Sequence, residues 1–299
     1  MHRHGPVTGA GSRALRIGAG ITLAYVAFAL AVGIWGHSLA LISEAAHNFT
    51  DFLALLLSWL AVYLQTKPAD QSRTYGYQRA GVLAAFLNVL TLLVLTLFII
   101  GEAIARLRAP GYVHAGWMLA AGIVGVCMNA GIALSLPRHH DVNFRAAFVH
   151  MMGDAVSTAL VVAGAIAISL TGRAIIDPLL SLVIAGFIAW TSWDVFRETI
   201  NILLEGAPRG IRPEEVTGAL LALPGVQGVH ELHIWSLGSD AHALSAHIRI
   251  ADLSLSESDV ILRRVQQRLG DRFHIHHTTV QFEYEPCPTG ECCPIPQAR

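Results

Sequence analysis

The sequence predicts an α-helical integral membrane protein with six transmembrane helices, followed by a small α+β domain of order αββαβ. Three observations predict it. Apolar residues make up 54% of the 299-residue chain and charged residues only 14%, a balance far from that of a soluble domain. Six apolar segments each reach the roughly 20 residues needed to cross a bilayer. After Arg197 the character changes to mixed polar sequence with alternating and amphipathic periods.

The six spans are placed at residues 14–35, 39–64, 81–104, 117–136, 144–170 and 175–196. Turn-forming residues punctuate the joints: Gly36-His37-Ser38, Lys67-Pro68-Ala69-Asp70, Ala109-Pro110-Gly111, Pro137-Arg138-His139-His140-Asp141 and Thr171-Gly172-Arg173. Residues 1–13 form a short leading segment with no apolar stretch of signal-peptide form, so no removable leader is expected. An even number of spans puts both termini on one side. That side collects Arg3, Arg13, Arg16, Lys67, Arg73, Arg79, Arg138, Arg145, Arg197 and Arg209, against Arg106, Arg108 and Arg173 opposite. The excess of basic residues places both termini in the cytoplasm. The compact loops suggest a bacterial inner membrane.

Residues 205–285 then read as a soluble domain. A helix opens at Pro213-Glu214-Glu215; residues 230–237 and 242–250 alternate like strands around a Gly-Ser-Asp turn; residues 256–269 form an amphipathic helix, and residues 275–283 alternate again. Two helices on a three-stranded sheet result. Residues 286–299, with four prolines and three cysteines, are expected to be irregular. A net charge of −1 gives no electrostatic case for nucleic acid as a partner. Four cysteines, one of them Cys127 in an apolar run, do not make a disulfide framework.

The second span carries His47-Asn48-Phe49-Thr50-Asp51 and the fifth His150-Met151-Met152-Gly153-Asp154. Residues four apart share a helix face, and ionisable groups inside a membrane are costly, so they mark function by default. Depth lets the pairs meet. Asp51 lies roughly 20 Å in from Ser38, and Asp154 roughly 17 Å in from Asn143 at the other surface; together these match the thickness of the bilayer. Two imidazoles and two carboxylates suit tetrahedral Zn²⁺. The same set serves Co²⁺, Cd²⁺ or Ni²⁺, while the lack of thiolate argues against Cu⁺. Glu44, one turn before His47, is placed for an outer proton relay. Asn48, Asn88, Asn129 and Ser157 are expected to form hydrogen bonds between helices. The repeated His-x-x-x-Asp hints at two related halves.

Further motifs give a resemblance. Ser38-Leu39-Ala40-Leu41 leads into Ala45-Ala46-His47, Tyr75-Gly76-Tyr77-Gln78-Arg79 precedes the third span, Gly153-Asp154-Ala155 follows His150, Asp177-Pro178 opens the sixth span, and His230-Glu231-Leu232-His233-Ile234-Trp235-Ser236-Leu237 lies in the soluble domain. With these, nearly the whole chain resembles the cation diffusion facilitator family of divalent-metal exporters, in its zinc-type branch. The resemblance implies a homodimeric efflux transporter working as a metal/proton antiporter, with His47, Asp51, His150 and Asp154 as the transport site. Manganese-type relatives carry aspartate where this chain has histidine, which favours zinc. The resemblance also implies a metallochaperone-like cytoplasmic domain that serves regulation and dimerisation. By position its regulatory metal ligands are His230, His247, His276 and Glu283, with His233 structural.

Two departures matter. The loop after the second span keeps Asp70 but lacks the imidazoles that make a further site in some members, so no metal is expected there. The tail offers Cys287, Cys292 and Cys293 as thiolate ligands, with His2 and His4 weaker candidates at the other end. Two rival functions fit the residues less well. An intramembrane metalloenzyme lacks a His-Glu-x-x-His motif, and four protein ligands leave no open position on the metal. A membrane-anchored zinc sensor leaves the buried His–Asp pairs unexplained.

Overall fold

The computed structural model describes residues 9–109, 111–135, 142–238 and 241–285, with side chains throughout except at 9–19, 55, 58, 135 and 142–150. Six long helices come first: α1 Gly9–Trp35, α2 Leu39–Gln65, α3 Ala80–Arg108, α4 Ala115–Ser135, α5 Val142–Thr171 and α6 Ile176–Leu203. They coincide with the six expected spans and overrun most of them, α6 by seven residues beyond Phe196. Five are long and apolar enough to cross a membrane over their described residues; the described apolar part of α1, Gly20–Trp35, is shorter. The remaining elements are α7 Pro213–Leu221, β1 Gly228–Ser236, β2 His242–Arg249, α8 Leu255–Phe273 and β3 Ile275–Glu283, in the expected αββαβ order.

Contacts divide the chain into two units, Met1–Leu57 with Leu87–Phe196, and Ser58–Phe86 with Arg197–Arg299. The α2–α3 loop and its flanking helix ends group with the αββαβ module, because Tyr75 stacks edge-on against His277 and Arg79 pairs with Glu205 at 3.1 Å.

In the helical unit, α4 packs along α5 and against α1. Small residues permit the approach, as in membrane bundles generally. A methyl group placed on Gly122 would lie 2.7 Å from Val162 Cγ2, and one on Gly125 would lie 2.8 Å from Thr158 Cγ2. Tyr25, Ala29, Met118, Ala121, Val161 and Ala165 fill the contact. This close seam brings α5, and with it Asp154 and Thr158, to a defined place in the bundle.

In the second unit the sheet order is β1-β2-β3, with β1 antiparallel and β3 parallel to β2. Val216, Leu220, Leu244, Ile248, Val265 and Leu269 form its core. Pro213 opens α7 at its first helical position, where its missing N–H costs nothing. Ser254 opens α8, its N–H and hydroxyl both donating to the Glu257 carboxylate. That helix ends at His274, its cap residue in the left-handed conformation. The register of β1 slips between His230 and His233, where Glu231 takes φ +49° as a bulge.

Candidate metal centres

α2 and α5 bring three ligand-type residues together. His47 Nε2 lies 3.3 Å from Asp154 Oδ1 and 3.7 Å from Asp51 Oδ2. One ligand atom from each residue falls within 4.8 Å of the others. Tetrahedral bonds of about 2.0 Å require ligand atoms about 3.3 Å apart, so the set needs little adjustment to close on an ion. His47 Nδ1 is buried without a hydrogen-bond partner among the described residues. His150 stands one turn before Asp154 in α5, and its side chain lies outside the described residues.

A polar layer backs this set on the side of the α2 N-terminus. Glu44 is fully buried. Its carboxylate accepts from Ser157 Oγ at 3.0 Å, Thr158 Oγ1 at 2.5 Å and Asn48 Nδ2 at 3.3 Å. The Thr158 hydroxyl also reaches the Asp154 carbonyl at 2.7 Å and accepts from Asn129 Nδ2 at 3.4 Å. One hydroxyl proton is thus shared between two acceptors, tying Glu44 to the helix turn that carries Asp154. Of the expected interhelical hydrogen bonds, Ser157 and Asn129 make theirs, while Asn48 bonds within its own helix to the Glu44 carbonyl and carboxylate. The Asn88 carbonyl oxygen has no partner among the described residues. The part played by Thr158 has no signature in sequence, since threonine is common in apolar helices.

The sheet brings a second set together. His230 and His247 are register partners across β1 and β2 with rings 5.3 Å apart. Glu283 at the end of β3 meets both, Oε2 to His230 Nε2 at 2.9 Å and Oε1 to His247 Nδ1 at 2.8 Å. One ligand atom from each of the three residues lies within 4.8 Å of the others. A tetrahedral ion would spread them by a few tenths of an ångström.

His276 does not join them. The parallel register sets Ile275 opposite His242 and Glu283 opposite Arg249, so His276 lies at the far end of β3, about 23 Å along the strand from Glu283. The β2–β3 register also shifts at that far end, between His242 and Ala243. Register between strands is not carried by the alternation of a single strand. His233 approaches Glu231 at 3.3 Å and is exposed.

Asp70 closes its own turn, accepting from the Ser72 hydroxyl at 2.6 Å and from the Ser72 and Arg73 amides at 2.7 and 2.8 Å. The Ser72 hydroxyl first, then the Arg73 and Ser72 amides, hold its carboxyl below the ordinary aspartate value. Cys127 is an exposed free cysteine of α4. Cys287, Cys292, Cys293, His2 and His4 lie outside the described residues.

Comparison with known proteins agrees with this architecture. Residues 15–204 match the family model described as the cation efflux transmembrane domain, and residues 208–285 the model described as the cation efflux protein, cytoplasmic domain. The chain is 34% identical over 281 residues to the metal cation efflux system protein CzcD of Cupriavidus metallidurans, covering 93% of this chain and 89% of that one. It is 32% identical over 286 residues to the zinc transporter ZitB of Escherichia coli, covering 94% and 90%. It is 33% identical over 289 residues to the cadmium, cobalt and zinc/H(+)-K(+) antiporter of Bacillus subtilis, covering 95% and 92%. With both of its parts matched in order and along most of its length, the chain belongs to the cation efflux family, membrane transporters of metal cations and not enzymes.

Proposed function

We propose that this chain exports Zn²⁺ from the cytoplasm in exchange for protons, with His47, Asp51, His150 and Asp154 as the transport site. The observation that carries this reading is the convergence of His47, Asp51 and Asp154, from helices about a hundred residues apart in sequence, to within 4.8 Å. Imidazole and carboxylate donors without thiolate suit zinc, cobalt and cadmium. The named substrates of the relatives, zinc for one and cadmium, cobalt and zinc for another, fall in that same class.

The chemistry follows from the ligands. Only neutral imidazole binds metal, so entry of Zn²⁺ displaces protons from His47 and His150. Rocking of the helices then exposes the site to the other side, where protons recharge the imidazoles and release the ion. Glu44, held by Ser157 and Thr158 one turn from His47, serves as the proton group on that outer path. The arginine asymmetry orients both termini to the cytoplasm of a bacterial inner membrane, and the family likeness implies a homodimer. His230, His247 and Glu283 hold a regulatory ion in the cytoplasmic domain, with the tail cysteines as further thiolate donors.

Proteoliposomes loaded with a zinc-sensitive dye test the assignment. A pH gradient drives zinc uptake by the parent protein, and Asp51→Ala or His150→Ala abolishes it. Normal uptake by either variant overturns the transport site. A panel of Zn²⁺, Cd²⁺, Co²⁺ and Ni²⁺, each run with and without the gradient, tests zinc preference and proton coupling separately.

A further inference from the structure

The helix that carries His47 and Asp51 begins at Leu39, and its beginning is fastened from three other elements. Asp177, fully buried in the first turn of α6, accepts from the Ser38 hydroxyl at 2.7 Å, the Leu39 amide at 2.7 Å and the Ala40 amide at 3.2 Å. Ser38 Oγ in turn accepts from the Leu41 amide at 3.2 Å. A carboxylate over the free amides of a helix start is a strong, charge-assisted cap. Here it comes from 138 residues away. From the end of α3, Arg106 donates to the His37 carbonyl at 2.6 Å and stands 4.0 Å from Asp177. From the approach to α4, the His114 amide donates to the Gly36 carbonyl at 2.9 Å.

Exposure along α2 shows which end of the site this collar closes. Ser38, Leu39, Ala40, Leu41, Ser43 and Glu44 are all at most 2% exposed. The side chains of His47 and Asp51, further along, are 17% and 21% exposed. Closure is therefore at the α2 N-terminal end, next to the Asp177 cluster.

We propose that Asp177 is a positioning residue that latches the N-terminus of α2 to α6, keeping that end of the transport site shut until the helices part. Unlike a local cap, a cap donated by a neighbouring helix exists only in one relative placement of the two. Separating α2 from α6 strips three donors from a buried carboxylate, so the latch biases the equilibrium toward the closed end. It rests on the transport reading above only in that α2 and α6 must separate to release the ion on that side.

The test uses full-length protein in vesicles, with Cys127→Ala and the tail cysteines changed to Ser, carrying Ala45→Cys as a reporter. Ala45 is 1% exposed and lies between Glu44 and His47. An impermeant thiol reagent is applied separately from each side of the membrane. Asp177→Asn should speed labelling from the side where α2 begins on the order of tenfold and slow it from the other side, as a population shift requires. Ser38→Ala, which removes one of the three donors, should give a smaller change of the same sign. Labelling at the parent rate in folded Asp177→Asn overturns the latch, as does faster labelling from both sides, the signature of loosened packing. Should Asp177→Asn fail to fold, the same two outcomes in Ser38→Ala decide. Zinc flux in the same vesicles with Asp177 intact keeps the questions apart: absent flux removes the transport reading, while the labelling asymmetry still judges the latch.

Discussion

The two ligand sets use the same atoms on different scaffolds. His47, Asp51 and Asp154 stand on two helices and are backed by a buried layer in which Glu44, Ser157, Thr158, Asn48 and Asn129 satisfy one another. His230, His247 and Glu283 stand on three adjacent strands, partly buried, with Gln281 Nε2 donating to Glu283 Oε1 at 2.9 Å as a surface contact. Helices can move relative to one another while keeping their internal hydrogen bonds. Strands of one sheet cannot, because the hydrogen bonds between them are what position the ligands. A helix-borne set suits an ion that must be released on cue, and a sheet-borne set suits an ion that stays.

The largest effect that could break this contrast is at the mobile set. Asp154→Ala should reduce zinc flux by at least about a hundredfold, the loss expected when an ion's charge partner is removed from a buried site, while zinc bound at equilibrium by the sheet set persists. Loss of both together would mean that the two sets form one functional site.

Thr158→Val comes next. It leaves Glu44 short of a donor in a buried place, a penalty of about 1–3 kcal/mol. We expect roughly a ten- to hundredfold rise in the zinc concentration needed for half-maximal flux. The comparable change beside the sheet set, Gln281→Ala, should shift zinc affinity by less than about threefold, because an exposed partner is replaced by water. Equal effects would dissolve the distinction between backed and open sites.

His247→Ala should remove one equivalent of bound zinc, measured by equilibrium dialysis, and change flux by less than about tenfold, in line with a regulatory coupling of modest size. Abolished flux would make that ion obligatory.

The smallest effect is at the α2–α3 turn. Because Asp70 is held below its ordinary carboxyl value, its contribution to the turn is full above the unfolded value and is lost only as pH falls through the lower folded one. Protease nicking of the loop should therefore stay slow down to pH values below the usual aspartate range, and Asp70→Asn should be nicked faster at neutral pH.

Much of this was legible from the chain alone. Spacing of four residues places His47 with Asp51 on one face whatever the surroundings, and apolar length with basic bias outlines the spans. The order αββαβ follows from periods of 2 and 3.6, which are local properties of each segment. Partner choice was less legible. Asn48, a candidate by sequence to bridge helices, instead bonds one turn back, where its own helix's Glu44 carbonyl lies at 2.9 Å. Family position groups His276 with Glu283, yet the parallel register separates them by the length of the strand.

By itself the sequence determined which residues are able to bind metal and which short stretches share a face, because both depend on side-chain chemistry and on repeats within one element. Only the tertiary structure decided that Glu44 faces Thr158, that His230 and His247 meet over Glu283, and that Asp177 caps a helix begun 138 residues earlier. Those facts depend on register and on the docking of distant segments, where long-range packing selects one arrangement among many with the same local pattern.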